Sequence, residues 1–192
     1  MLNLSRVPPG QRVIKDFPVL HFDGIPSFNP ATWQFRLFGL VEVVKEFGYT
    51  EFMQLPKIES VSDFHCVTGW SRFDNVWKGV SAKELVKQVA LKPEVRFVLV
   101  HCVDGYTTNM SLSAFLDDEV IFAYKHDRKE ITPEHGYPVR LVVPKIYAYK
   151  CAKWVNGVEF LAKDQPGYWE IRGYHNQADP WKEERFAPAF NL

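Results

Sequence analysis

The sequence has no excess of charge of either sign: Lys and Arg total 23, and so do Asp and Glu. A chain this balanced carries no electrostatic footprint for a polyanion, so nucleic acid is not expected as a partner. No apolar run is long enough to cross a bilayer, and no membrane partner is expected. Met1 to Phe17 has neither an apolar signal core nor a twin-arginine pair, which predicts a cytoplasmic protein. Cysteine is scarce. Cys66, Cys102 and Cys151 have no short spacing, which suits a reducing compartment better than a disulfide framework. Internal repeats and low-complexity tracts are absent.

Common catalytic signatures are missing as well. There is no glycine-rich phosphate loop, no Cys-x-x-Cys or His-x-x-x-His pair for zinc, no haem attachment motif and no Gly-x-Ser-x-Gly elbow. What the chain has in quantity is aromatic residues: 15 Phe, 8 Tyr and 6 Trp among 192 residues. Rings bury much area each, so a dense core is their main expected use, with the lining of a cofactor cleft as a second.

Thirteen prolines are spread along the chain, so its elements should be short. Leu2 to Pro30 reads as an extended, wandering segment. Trp33 to Phe38 alternates apolar and polar and predicts a half-buried strand. Thr50 to Leu55, closed by Pro56, predicts one short capped helix. Ser81-Ala82-Lys83-Glu84 is a capping box before Leu85, and Ser111 or Ser113 opens another short helix. Val95–Val100, Val120–Tyr124, Val139–Val143 and Val155–Leu161 predict strands. Many strands and few helices indicate an α+β fold with mixed β-sheets and short helices.

Two stretches carry chemistry. In Val61-Ser62-Asp63-Phe64-His65-Cys66-Val67-Thr68-Gly69, a strand runs into a cysteine and then a turn. Cys66 is either a small buried hydrophobe or a thiolate for a soft metal, with Arg72 as a source of positive potential. In His135-Gly136-Tyr137-Pro138-Val139-Arg140, the arginine lies inside an apolar strand. A buried guanidinium needs an anion or several acceptors. Arg140, Lys150 and Lys153 together suit a phosphate, and an ordinary salt bridge with solvated lysines is the alternative.

In this order the two stretches resemble the molybdopterin-binding domain of the sulfite oxidase superfamily, which includes the periplasmic methionine sulfoxide reductase. Sulfite oxidases carry a similar His-Gly-Phe-Pro-Val-Arg run ending in Val-Lys-Trp, and the similarity spans nearly the whole chain. The ending from Gly173 to Trp181 is similar to compact, stand-alone members. The resemblance implies one molybdopterin-binding oxidoreductase domain over residues 1–192, without the haem or dimerisation domain of sulfite oxidases. It implies Cys66 as the ligand to molybdenum, with tungsten as an alternative metal. His135 and Arg140 match cofactor-contacting positions, Cys151, Ala152 and Lys153 a loop that wraps the cofactor, and His21 and Phe22 an early pterin-contacting segment. Cys102 falls where a strand approaches the cofactor, with a core cysteine as the alternative. Tyr174 matches the active-site tyrosine.

The chain departs from the family at Leu20, where sulfite oxidases place an arginine. It departs again at Trp70 and Ser71, where arginines follow the metal cysteine before Arg72. The anion pocket is thinner in positive charge, which puts sulfite itself in question as substrate. The implied activity is two-electron oxygen-atom transfer on a small sulfite- or sulfoxide-like molecule, with electrons exchanged with an external partner. A non-catalytic molybdopterin carrier is the alternative.

Overall fold

The computed structural model describes residues 4–21 and 23–188, so Phe22 lies outside the described residues. In chain order the strands are β1 (Arg12–Val13), β2 (Gln34–Gly39), β3 (Lys45–Gly48), β4 (Ile58–Cys66), β5 (Trp70–Ser81), β6 (Phe97–Cys102), β7 (Thr107–Ser111), β8 (Ile121–His126), β9 (Lys129–Glu130), β10 (Arg140–Val142) and β11 (Val155–Leu161). Three short helices interrupt them: α1 (Tyr49–Phe52), α2 (Ala82–Val86) and α3 (Leu112–Phe115). The fold is α+β with two mixed sheets. One runs β1-β5-β8-β10, with β4 on β5 and β9 on β8; the other runs β3-β2-β11-β6-β7.

Local sequence explains most of these elements. In β2, Phe35 and Leu37 face the core while Gln34 and Arg36 face solvent, as the alternation requires. In β8, Ile121 to Tyr124 are all buried, the mark of a strand covered on both faces. Ser81 Oγ accepts from the Glu84 amide at 3.1 Å, and Ser111 Oγ accepts from the Ala114 amide at 3.2 Å, so both serines cap as expected. The first helix differs from expectation. Gly48 is its N-cap and Thr50 lies inside it, because the Tyr49 ring packs on Phe28 and Trp33 and draws the backbone into the helix earlier.

The two sheets share one cluster of buried apolar side chains. Phe35 of β2 meets Phe122 of β8 at 5.5 Å between centroids, joining the sheets across the core. Two turns then matter for the site. Val67 to Gly69 links β4 to β5, with Cys66 opposite Trp70 at the hairpin end and Gly69 at φ +91°. Gly136, at φ +109°, precedes β10; a Cβ there would sit 3.0 Å from both Arg140 Cβ and Lys153 Cβ. Only glycine lets those two cationic residues close over the turn.

Candidate active site

The ends of β4 and β10, the Ala148–Lys150 turn and the N-terminal segment enclose a cleft of about 310 Å³. Cys66, His21, His135, Arg140, Cys151, Ala152, Lys153 and Tyr174 all line it. Aromatic residues make much of its wall, among them Phe17, Phe64, Trp70, Trp154 and Trp169. The aromatic excess therefore serves both core and cleft.

Cys66 is 6% exposed, and its Sγ lies 3.1 Å from Thr68 Oγ1. Burial pushes its thiol up, while the Thr68 hydrogen bonds and the Arg185 charge pull it back. Across the cleft, Arg140 is buried and donates to the His135 carbonyl at 3.0 Å and the Cys151 carbonyl at 3.2 Å. Its Nε has no partner, and its guanidinium carbon lies 5.3–5.5 Å from the ring centroids of Phe17, Phe64 and Trp77. Burial holds Arg140 down to about 10. Lys153 donates to the Leu20 and Glu134 carbonyls at 2.6 and 2.8 Å; burial and the neighbouring Arg140 hold it down to about 8. His135, stacked on Phe17 at 4.7 Å, is lowered by burial, Arg140 and Lys153 in turn. Among the described residues neither Arg140 nor Lys153 has a carboxylate ion-pair partner. A buried cation left without an anion is costly, and a ligand phosphate is the group that would satisfy it. At the other end a soft sulfur suits a thiophilic metal.

Tyr174 stands on the cleft wall in a ring cluster, 5.1 Å from Tyr149, 5.0 Å from Trp169 and 5.2 Å from Phe186. Its hydroxyl makes no hydrogen bond among the described residues.

Three residues chosen from sequence do not reach the cleft. Arg72 is spent elsewhere: Nη2 donates to Asp127 Oδ2 at 2.5 Å, Nε donates to the Lys15 carbonyl at 2.9 Å, and Nη1 binds Asn75 and His126. It lines a neighbouring cavity that shares Phe17, His135 and Arg140 with the cleft. Cys102 is a core cysteine at the end of β6, its thiol pushed up by burial. Lys150 turns into the core beside Glu170 and Asn109 instead of joining Arg140 and Lys153. Sequence reasoning also passed over Phe17, Thr68, Tyr149 and Trp169. In a chain this aromatic, nothing local separates a cleft ring from a core ring.

A family model for the oxidoreductase molybdopterin binding domain matches residues 21–169. The chain belongs to this molybdopterin oxidoreductase family, and membership implies a molybdenum cofactor. It is 43% identical to the oxidoreductase YuiH of Bacillus subtilis over 183 residues, which covers 95% of this chain and 92% of that protein. It is 25% identical to the catalytic subunit of the protein-methionine-sulfoxide reductase MsrP of Campylobacter jejuni, over 75% of this chain and 54% of that protein. The sulfane dehydrogenase SoxCD of Paracoccus pantotrophus shares the fold, with a TM-score of 0.68 at 20% identity, over 74% of this chain and 41% of that one. The chain therefore spans nearly all of YuiH but only about half of the reductase subunit.

Proposed function

We propose that this chain catalyses two-electron oxygen-atom transfer on a small sulfite- or sulfoxide-like substrate, with Cys66 as the protein ligand to a pterin-bound molybdenum. The observation that carries the proposal is a single cleft lined by both a sulfur donor and a buried guanidinium that has no carboxylate partner among the described residues. When bound, the molybdenum–pterin group supplies the two-electron couple and the soft-ligand metal chemistry.

The residues present fit such a group. Arg140, Lys153 and His135 line the cleft and would hold its phosphate. Cys151 and Ala152 shape the wall between phosphate and metal, and His21 lines the entrance. Thr68 orients the Cys66 sulfur through its hydroxyl. Phe17, Phe64 and Trp70 keep water from it. The Tyr174 hydroxyl offers a donor to a substrate oxygen. With Arg72 tied to Asp127, the arginine and lysine that line the cleft are Arg140 and Lys153, both assigned to the phosphate, so neither is left to grip a dianionic substrate. A sulfoxide is therefore the better candidate, and the likeness to a methionine sulfoxide reductase supports it. Electrons pass to or from an external protein partner. The shared core supports reading the chain as one domain, and three free cysteines support a cytoplasmic home.

The test starts with protein expressed in the presence of molybdate. Elemental analysis should find about one molybdenum per chain, tungsten being scored in the same measurement. X-ray absorption should count one sulfur fewer on the metal in Cys66→Ser. Turnover is then sought with sulfoxides and an artificial donor, and with sulfite and an artificial acceptor. A loaded protein inactive on both would favour a carrier, and an unchanged sulfur count in Cys66→Ser would remove the metal assignment.

Lys153 adds a pH dependence. A bound phosphate raises its proton affinity above the free value of about 8. Phosphate binding is then at full strength below about pH 8 and is lost as pH rises through the raised value of the complex. Cofactor retention on gel filtration should fall between roughly pH 8 and pH 10, and Lys153→Arg should flatten the fall.

A further inference from the structure

We infer that Arg185 is a positioning residue for the metal end of the cleft, clamping the turn that presents Cys66 and setting a positive charge against the peptide next to it. The inference rests on the thiolate–molybdenum reading above.

The turn after Cys66 is gripped from both sides. Gln11 Nε2 donates to the Cys66 carbonyl at 3.0 Å. Arg185 Nη1 donates to the next carbonyl, that of Val67, and Nη2 reaches the Pro9 carbonyl at 3.5 Å. The guanidinium carbon lies 5.0 Å from the centroid of the Tyr147 ring, a fully buried residue. Gly10 allows this approach: at φ +65°, a Cβ there would stand 3.1 Å from Arg185 Nη2 and 3.0 Å from Glu183 Oε1. One side chain thus ties the N-terminal segment, the Cys66 turn and the segment after the Pro180–Lys182 turn.

Glu183 lies nearby, but no carboxylate forms an ion pair with Arg185 among the described residues. The hydrogen bond to the Val67 carbonyl sets the Arg185 guanidinium against the peptide that follows Cys66. Arg185 is partly buried, so its charge is screened less than one that is fully in water. It favours an anionic sulfur, and it favours the reduced metal, because reduction adds negative charge to the site. Arg185 acts through the turn and through space and need not touch substrate.

The experiment is a potentiometric titration of the molybdenum in loaded protein, followed by electron paramagnetic resonance, with melting of each apoprotein as a check on folding. Arg185→Gln removes the charge and keeps donors. Arg185→Lys keeps the charge and loses the fork. Replacement of Arg185 by citrulline, through ligation of a synthetic C-terminal segment, keeps the planar shape and one terminal amino donor, enough for the Val67 carbonyl, and removes the charge. The glutamine and citrulline proteins should be harder to reduce by about tenfold in the one-electron equilibrium, about 59 mV. The lysine protein should stay within about twofold of wild type. Equal potentials in wild-type and citrulline proteins overturn the inference even if the glutamine variant does not load. A wild-type metal without a Cys66 sulfur would overturn the metal-site reading itself, a different result from equal potentials.

Discussion

Glu170→Leu should lower the unfolding free energy by about 3–5 kcal/mol. Glu170 and Lys150 form an ion pair at 2.6 Å, with both side chains only 1% exposed. The Lys150 ammonium also donates to the Asn109 carbonyl at 2.7 Å, and Thr108 Oγ1 donates to the same Glu170 oxygen at 3.0 Å. Burial already pushes the Lys150 ammonium below its usual range, against the pull of Glu170. Removing the carboxylate leaves a cation in the core with two neutral acceptors, the backbone carbonyl and the side-chain amide oxygen of Asn109. The partner change decides the mechanism. Lys150→Met combined with Glu170→Leu should recover most of the loss, because no charge is then stranded. Denaturant titration of the two singles and the double gives the coupling. A loss under about 1 kcal/mol in the single would mean that water reaches Lys150. The pair also pins two turns that carry Tyr149, Cys151, Trp169 and Tyr174 onto β7, so the single variant should hold cofactor less well at raised temperature.

Arg140→Met should behave in the opposite way. The apoprotein should melt within about 1 kcal/mol of wild type, while affinity for the cofactor falls by about 2–5 kcal/mol, roughly thirtyfold or more. Two magnitudes set the first result. Holding a guanidinium that ordinarily loses its proton at 12.5 down to about 10 corresponds to about 3 kcal/mol against the charged form in the fold. That penalty is present at every pH below about 10. Methionine relieves it and forfeits two hydrogen bonds to carbonyls, each worth about 1 kcal/mol net. The terms nearly cancel, or favour methionine. A structural arginine would instead cost several kcal/mol on removal. Thermal melts of apoprotein beside cofactor retention of loaded protein separate the two roles; a destabilised apoprotein with normal retention would assign Arg140 to the fold.

Much of the fold was legible because its signals are local. The alternation in β2, the apolar run of β8 and the serines at 81 and 111 each state their structure within a few residues. The long strand β5 was not legible: Asp74, Asn75, Lys78 and Gly79 interrupt its apolar pattern, and it pairs with three different strands along its length. Strand β7 was hidden by polarity, since Thr108 and Asn109 are buried through bonds to Glu170, Lys150 and residues 164 and 176. At the site, Cys66, Arg140 and Lys153 stood out through the resemblance, and the structure brings all three to one cleft. Lys150 misled because spacing cannot say which way a loop cation turns. Arg72 misled because its partner, Asp127, is 55 residues away. Arg185 gave no local signal, since its target carbonyl is 118 residues distant.

That last separation bears on when the protein matures. A nascent chain cannot fasten the Cys66 hairpin until residue 185 has left the ribosome. A cofactor that needs the fastened hairpin therefore cannot be received while residue 185 is still inside the tunnel, however early β4 and β5 pair.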